Sequence, residues 1–136
     1  MLDRSQYLLK IRPNILSAAI NDSMGLNERF QNQTLRPVIK FQNELLIAVF
    51  NNYIKKHKNK FHELSVEKKI QYIENAIQKD VKFRNSLKGI IIGAFTEEEY
   101  TMYIQDSSAL NKRMMNLVIK RLQDQIQVFE EKALIH

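Results

Sequence analysis

The chain has 136 residues, 44% of them apolar, and carries 21 Lys and Arg against 15 Asp and Glu, a formal net charge of +6. A chain of this length suits one domain that buries about two thirds of its unfolded surface without a metal or disulfide. The absence of cysteine excludes a disulfide framework, a zinc-thiolate site and a thiol nucleophile. With only 3 Gly and 2 Pro there is little turn chemistry for hairpins, which points to helices. The start MLDRSQYLLKIRPN lacks the basic-then-apolar pattern of a secretory signal, and no run of 18 apolar residues occurs, so a cytoplasmic protein without a membrane partner is expected.

In chain order, Asp3 is placed to cap a short helix through Ile11, which Pro13 stops because the residue before proline avoids the helical region. ILSAAI is apolar enough to pack, and NDSMG reads as a loop ending on Gly25. From Asn27 the pattern is helical, and Phe-Gln-Asn occurs twice, at Phe30 and Phe41, on either side of Pro37. Proline lacks an N–H and its ring crowds the carbonyl four residues back, so a break or sharp kink is expected near Gln33 to Arg36, with Thr34 capping a helix that starts at Leu35. Val38, Ile39, Leu45, Leu46, Val49, Phe50, Tyr53 and Ile54 recur at helical spacing and carry a central core helix to about Lys58.

Ser65 caps the next helix, whose stripe is Val66, Ile70, Ile73 and Ile77. Beyond it Arg84 and Lys88 fall where that stripe would continue, so a bend near Lys79 to Lys82 is expected, with Asp80 as cap. Thr96 and Glu99 form a capping box opening a short helix through Tyr103. Ser107 or Ser108 starts the last long helix, with Met115, Val118, Ile119, Leu122, Ile126 and Phe129 on its apolar face and Lys112, Arg113, Asn116 and Lys120 on its wet face. No segment alternates with period two for long enough to be a strand. The expected fold is all-α: a single helical domain over residues 1–136, a bundle of five to seven helices with 1–25 as a short helix and loop before it.

The positive charge is uneven: residues 1–60 hold 10 Lys and Arg against 4 Asp and Glu, whereas residues 61–136 hold 11 of each. Much of the excess lies in KKHKNK, where Lys55, Lys56, Lys58 and Lys60 form a candidate basic patch for nucleic acid. A solvated helix end explains the same run, because cations suit the C-terminal dipole. His57 and His62 are five apart and no Glu-x-x-His occurs, so no metal site is expected. Glu97, Glu98 and Glu99 satisfy capping and dipole without any acid catalysis. Gly89 and Gly93 have the small-x-x-x-small spacing of a close helix contact, inside the domain or between subunits. Tyr100, Tyr103, Met102, Met114 and Met115 offer material for an apolar pocket or for core.

Three stretches, RFQNQTLRPVIKFQNELL, FRNSLKGIIIGAFTEEEY and SSALNKRMMNLVIKRL, resemble a group of short uncharacterised all-helical bacterial proteins, some of which carry a glyoxalase label. The resemblance covers most of the chain from Arg29 to Gln125. The label implies a metal-dependent enzyme with His and Glu ligands on β-strands, a pattern this chain lacks, so no catalytic residue and no cofactor follow from it. The expected function is a non-catalytic binding or regulatory module acting through a helix face, by self-association or with a protein partner, for which Ile47 and Val128 offer spare apolar surface. The alternatives are a weakly specific nucleic-acid binder through the lysine run, or a ligand-binding protein or enzyme holding a small anion with Arg36, Arg84, Tyr100 and Tyr103.

Overall fold

A computed structural model describes residues 1–13 and 24–129. Eight α-helices are bounded within the described residues: α1 (Arg4–Ile11), α2 (Leu26–Phe30), α3 (Arg36–Phe41), α4 (Asn43–Lys56), α5 (Val66–Lys79), α6 (Val81–Ile92), α7 (Glu97–Tyr103) and α8 (Ser107–Asp124). No strand occurs among the described residues, and the fold is all-α. The count exceeds the expected range because the stretch around Pro37 and the central core helix divide differently from the sequence pattern. Most of ILSAAI-NDSMG lies outside the described residues.

Local caps form where side chains reach three residues ahead. Asp3 and Gln6 make a reciprocal capping box on α1, Ser65 accepts from the Lys68 N–H, Asp80 accepts from the Phe83 N–H, and Thr96 and Glu99 close a second box on α7. Each satisfies backbone donors that a helix start leaves open.

The expected break before Pro37 is absent. The chain runs from α2 into α3 through a π-helical turn, Gln31–Leu35, in which the Arg36 N–H reaches back to the Gln31 carbonyl. The extra residue in that turn widens the helix ahead of the proline ring, and Pro37 sits in the first turn of α3 where its missing N–H costs little. Thr34 is not a cap: it is buried, and its hydroxyl donates to Glu99 Oε2 at 2.9 Å. The chain instead turns at Gln42, with φ −87° and ψ 6°, and the Gln42 amide donates to the Ile90 carbonyl. The central core helix is therefore two helices, and it ends at Lys56. Lys58 and Asn59 then take left-handed φ of 63° and 58°, which lets the Asn59 N–H close on the Ile54 carbonyl before a 3₁₀ turn, Lys60–Glu63.

The two Phe-Gln-Asn copies serve packing. Gln31 accepts from Arg113 at 2.9 Å, and Asn43 and Gln125 exchange amide hydrogen bonds at 2.9 and 2.6 Å. Both pairs have the same offset of 82 residues, so the run from Gln31 to Asn43 lies parallel to α8. Phe30 is buried whereas Phe41 is exposed.

One apolar cluster extends from Phe30 to Phe129, with α5 packed against both α6 and α8. Phe50 sits at its centre, its ring 5.1 to 6.2 Å from those of Tyr53, Phe61, Tyr72, Phe83 and Phe129. On α5 the stripe is narrower than its spacing suggests: Ile73 and Ile77 are buried, Val66 and Ile70 exposed. On α8 Met115, Val118, Ile119 and Leu122 are buried, and after the turn at Gln125 so is Phe129. Ile47 is buried and Val128 is packed against the core, so neither is spare surface for a partner.

Candidate anion-binding cleft

The phase change between α5 and α6 has a consequence at the surface. Asp80 starts α6 at a new angle, and Arg84 and Lys88, four residues apart, share one of its faces. Across from them α8 presents Ser108 and Lys112, again four apart, together with Asn111 and Asn116. Between these faces and the end of α5 lies a cleft of about 490 Å³ whose floor includes Ile77, Met115 and Ile119. The two polar pairs are each one helical turn long, about 6 Å between Cβ atoms, so they frame a region one turn high.

Two hydrogen bonds orient the walls. Arg84 Nη1 donates to the Gln78 carbonyl at 2.6 Å, which holds the guanidinium at the cleft and leaves its other N–H groups for a guest. The Tyr103 hydroxyl donates to Asn111 Oδ1, so that amide has its N–H donors left for the cleft. Among the described residues no carboxylate lines this space, and Arg84, Lys88 and Lys112 are in no ion pair. Three cations held together without an acid repel one another, and an anion seated between them removes that repulsion and meets donors from both walls.

The four residues expected to share a polar ligand site do not meet. Arg84 lines the cleft and Tyr103 reaches it through Asn111, but Tyr100 is exposed on α7, 6.0 Å ring to ring from Tyr103. Arg36 points its Nε at Asn32 and borders a separate cavity of about 310 Å³ with Lys120, Arg121 and Asp124. The expected apolar pocket is also divided: Met114 and Met115 are core, while Met102 borders a third cavity, of about 640 Å³, with Leu26, Phe30 and Leu110.

Gly89 is exposed, and a Cβ there would meet nothing within 4 Å, so the close helix contact inside the domain is not made at that position. Gly93 is exposed too; a Cβ there would meet only the preceding turn, at Gly89 O 3.0 Å and Ile90 O 3.7 Å. Its carbonyl is a dock for α1, accepting from Arg4 Nη2. His57 stacks on Tyr53 at 4.0 Å between ring centroids, while His62 lies on the 3₁₀ turn.

Lys55, Lys56, Lys58 and Lys60 are all exposed, the first two in the last turn of α4 and the others at the chain reversal after it. They face no defined cavity among those described and sit where a helix C-terminus favours cations. Reversing all four to glutamate is expected to change unfolding free energy by no more than about 1 kcal/mol, by urea titration, since exposed charges contribute little. A gel shift with DNA or RNA that survives physiological salt and vanishes in that variant would restore the nucleic-acid role to this run.

The cleft residues that sequence reasoning missed are Lys88, Ser108, Asn111, Lys112 and Asn116. The available signal was the pair of cations four apart on α6, out of phase with the α5 stripe, matched by a polar pair four apart on α8. No protein-family model, curated protein or solved structure matches the chain. The fold and the cleft define an all-α helical protein with a basic recess that no carboxylate lines among the described residues, and no helix among them is long and apolar enough to cross a membrane.

Proposed function

We propose that the protein is a binding module for a small anionic ligand, held in the cleft between α5, α6 and α8. The observation that carries this reading is the convergence of Arg84, Lys88 and Lys112 on one recess without a carboxylate. The lining supplies cations, amides and one hydroxyl, which is what recognition of an oxyanion needs. A cavity of about 490 Å³ falls within the usual range for small-molecule sites. A helix-face protein contact has weaker support, since Ile47 is buried, although Tyr100, Met102 and Ile104 remain exposed on and after α7.

The test is thermal unfolding in phosphate against chloride at matched ionic strength. Phosphate at 100 times its dissociation constant is expected to stabilise by about 2.7 kcal/mol, a rise of several degrees in Tm. Phosphate also stabilises proteins through exclusion from their surfaces, so the control is Lys88→Gln/Lys112→Gln. These two side chains make no ion pair among the described residues, and the variant is expected to keep its stability in chloride and to lose the part of the phosphate response that comes from binding, retaining only the part that comes from exclusion. An equal phosphate response in the variant would overturn the proposal.

A further inference from the structure

We infer that the cleft selects for a ligand with a double negative charge, an inference that rests on the anion-binding role proposed above. Its charges come from two elements, Arg84 and Lys88 on α6 and Lys112 on α8, while the lining stretch of α5 adds only the uncharged Ile77 and Gln78. Asp80, the acid that starts α6, is engaged elsewhere: it accepts from the Phe83 N–H and from the Tyr53 hydroxyl. A compact space of about 490 Å³ is about 10 Å across, so a guest in it lies within about one Debye length of all three cations. A single negative charge there leaves two of the three positive charges unbalanced. Coulomb energy scales with the product of the charges, so a second negative charge meets the same three cations as the first.

The uncharged polar groups point the same way. Gln78, Ser108, Asn111 and Asn116 bring N–H or O–H donors, and the Asn111 carbonyl oxygen is already taken by the Tyr103 hydroxyl. A neutral polyol needs strong acceptors for its hydroxyls, and among the described residues the lining has no carboxylate to provide them. Anions divide on charge: a nucleic-acid phosphodiester or a lone carboxylate carries one, whereas a terminal phosphate carries about −1.5 to −2 at neutral pH. A dicarboxylate also carries two. Neither histidine nor carboxylate lines the cleft among the described residues, so a change in binding between about pH 5 and pH 7 reports the ligand's own proton.

Calorimetric titration of the full chain at fixed ionic strength with methyl phosphate, dimethyl phosphate, succinate and sulfate tests this. Methyl and dimethyl phosphate share a tetrahedral phosphorus centre and differ by one charge, so at neutral pH methyl phosphate is expected to bind about tenfold more tightly or better. From pH 5 to pH 7 the doubly charged fraction of a phosphomonoester rises about tenfold, and its affinity should rise with it, whereas the affinity of sulfate, already doubly charged, should hold within about twofold. Methyl phosphate binding more tightly than succinate would assign the ligand to the terminal phosphates, and the reverse to the dicarboxylates; both support the double charge. Lys88→Gln removes one cation and should weaken methyl phosphate more than dimethyl phosphate, a difference that a purely structural role would not produce. Equal losses in that variant, or dimethyl phosphate matching methyl phosphate on the natural chain, would overturn the double charge and leave the anion site standing. No binding of any of these anions would overturn the proposed function itself.

Discussion

Arg12→Ala is expected to destabilise the protein by about 3–5 kcal/mol, the cost of leaving a buried charge without its partner. Arg12 and Glu99 form an ion pair with side chains only 8% and 9% exposed. Arg12 Nη1 donates to Glu99 Oε2 at 2.6 Å and its Nη2 to Oε1 at 2.9 Å, while Thr34 donates to Oε2 and the Thr96 N–H to Oε1. Each carboxylate oxygen thus accepts two hydrogen bonds. The same arginine donates to the Ala94 carbonyl, and Arg4 donates to those of Phe95 and Gly93. Because α1 has no buried residue of its own, these two arginines are its main attachment among the described residues, and Arg12→Ala should also loosen it. At this chain length the loss corresponds to about 10 °C or more in Tm.

The pH dependence gives this prediction a second readout. Burial pushes the Glu99 carboxyl up, but the hydrogen bonds from Arg12, Thr96 and Thr34 and the Arg12 charge outweigh it and hold the group below its ordinary 4.5. A depressed folded pKa contributes stability that is present above the unfolded value and is lost as pH falls through the folded one. Wild type should therefore lose this contribution only below about pH 4.5. In Arg12→Ala burial is left without its main opponent, the carboxyl rises, and the variant regains stability on acidification. The gap between the two should narrow from pH 7 to pH 4, by urea unfolding; a constant gap would mean that Arg12 acts through packing alone.

Phe50→Ala is expected to cost about 3–5 kcal/mol, through lost transfer energy and the cavity left behind. Phe50 is fully buried and its ring contacts side chains from α4, the 3₁₀ turn, α5, α6 and the helical stretch after the turn at Gln125. No single neighbour can move to fill the space without leaving another ring unpacked. Phe50→Leu, which keeps most of the volume, should cost less than half as much. Urea unfolding with unchanged slope should show both effects, and an alanine variant losing under 1 kcal/mol would contradict the central placement of this ring.

Sequence alone determined the helical class, most of the helix starts and part of each buried stripe, whereas Leu45, Val66 and Ile70, expected on those stripes, are exposed. A cap depends on a side chain reaching a backbone N–H two or three residues ahead, and a stripe on 3.6 residues per turn, so Asp3, Ser65, Asp80 and Thr96 are legible wherever the rest of the chain goes. Pro37 was misleading because its penalty belongs to a regular α-helix, and the π turn at Gln31–Leu35, held by contacts with α8 and by Thr34 on Glu99, is a geometry with a different penalty. Ile47 looked spare because its neighbours on other helices are not visible in a local pattern.

The cleft and the buried ion pair were decided by tertiary structure. Arg12 and Glu99 are 87 residues apart, and the cations of α6 meet Lys112 only because α5, α6 and α8 pack together. The charge imbalance read along the chain pointed to the first 60 residues, yet the carboxylate-free recess lies in the half with no net charge. Net charge counts residues, whereas the field in a cleft depends on which side chains share it and which acids the packing carries elsewhere. That sorting is done by the angle between α5 and α6, a property of the packed core.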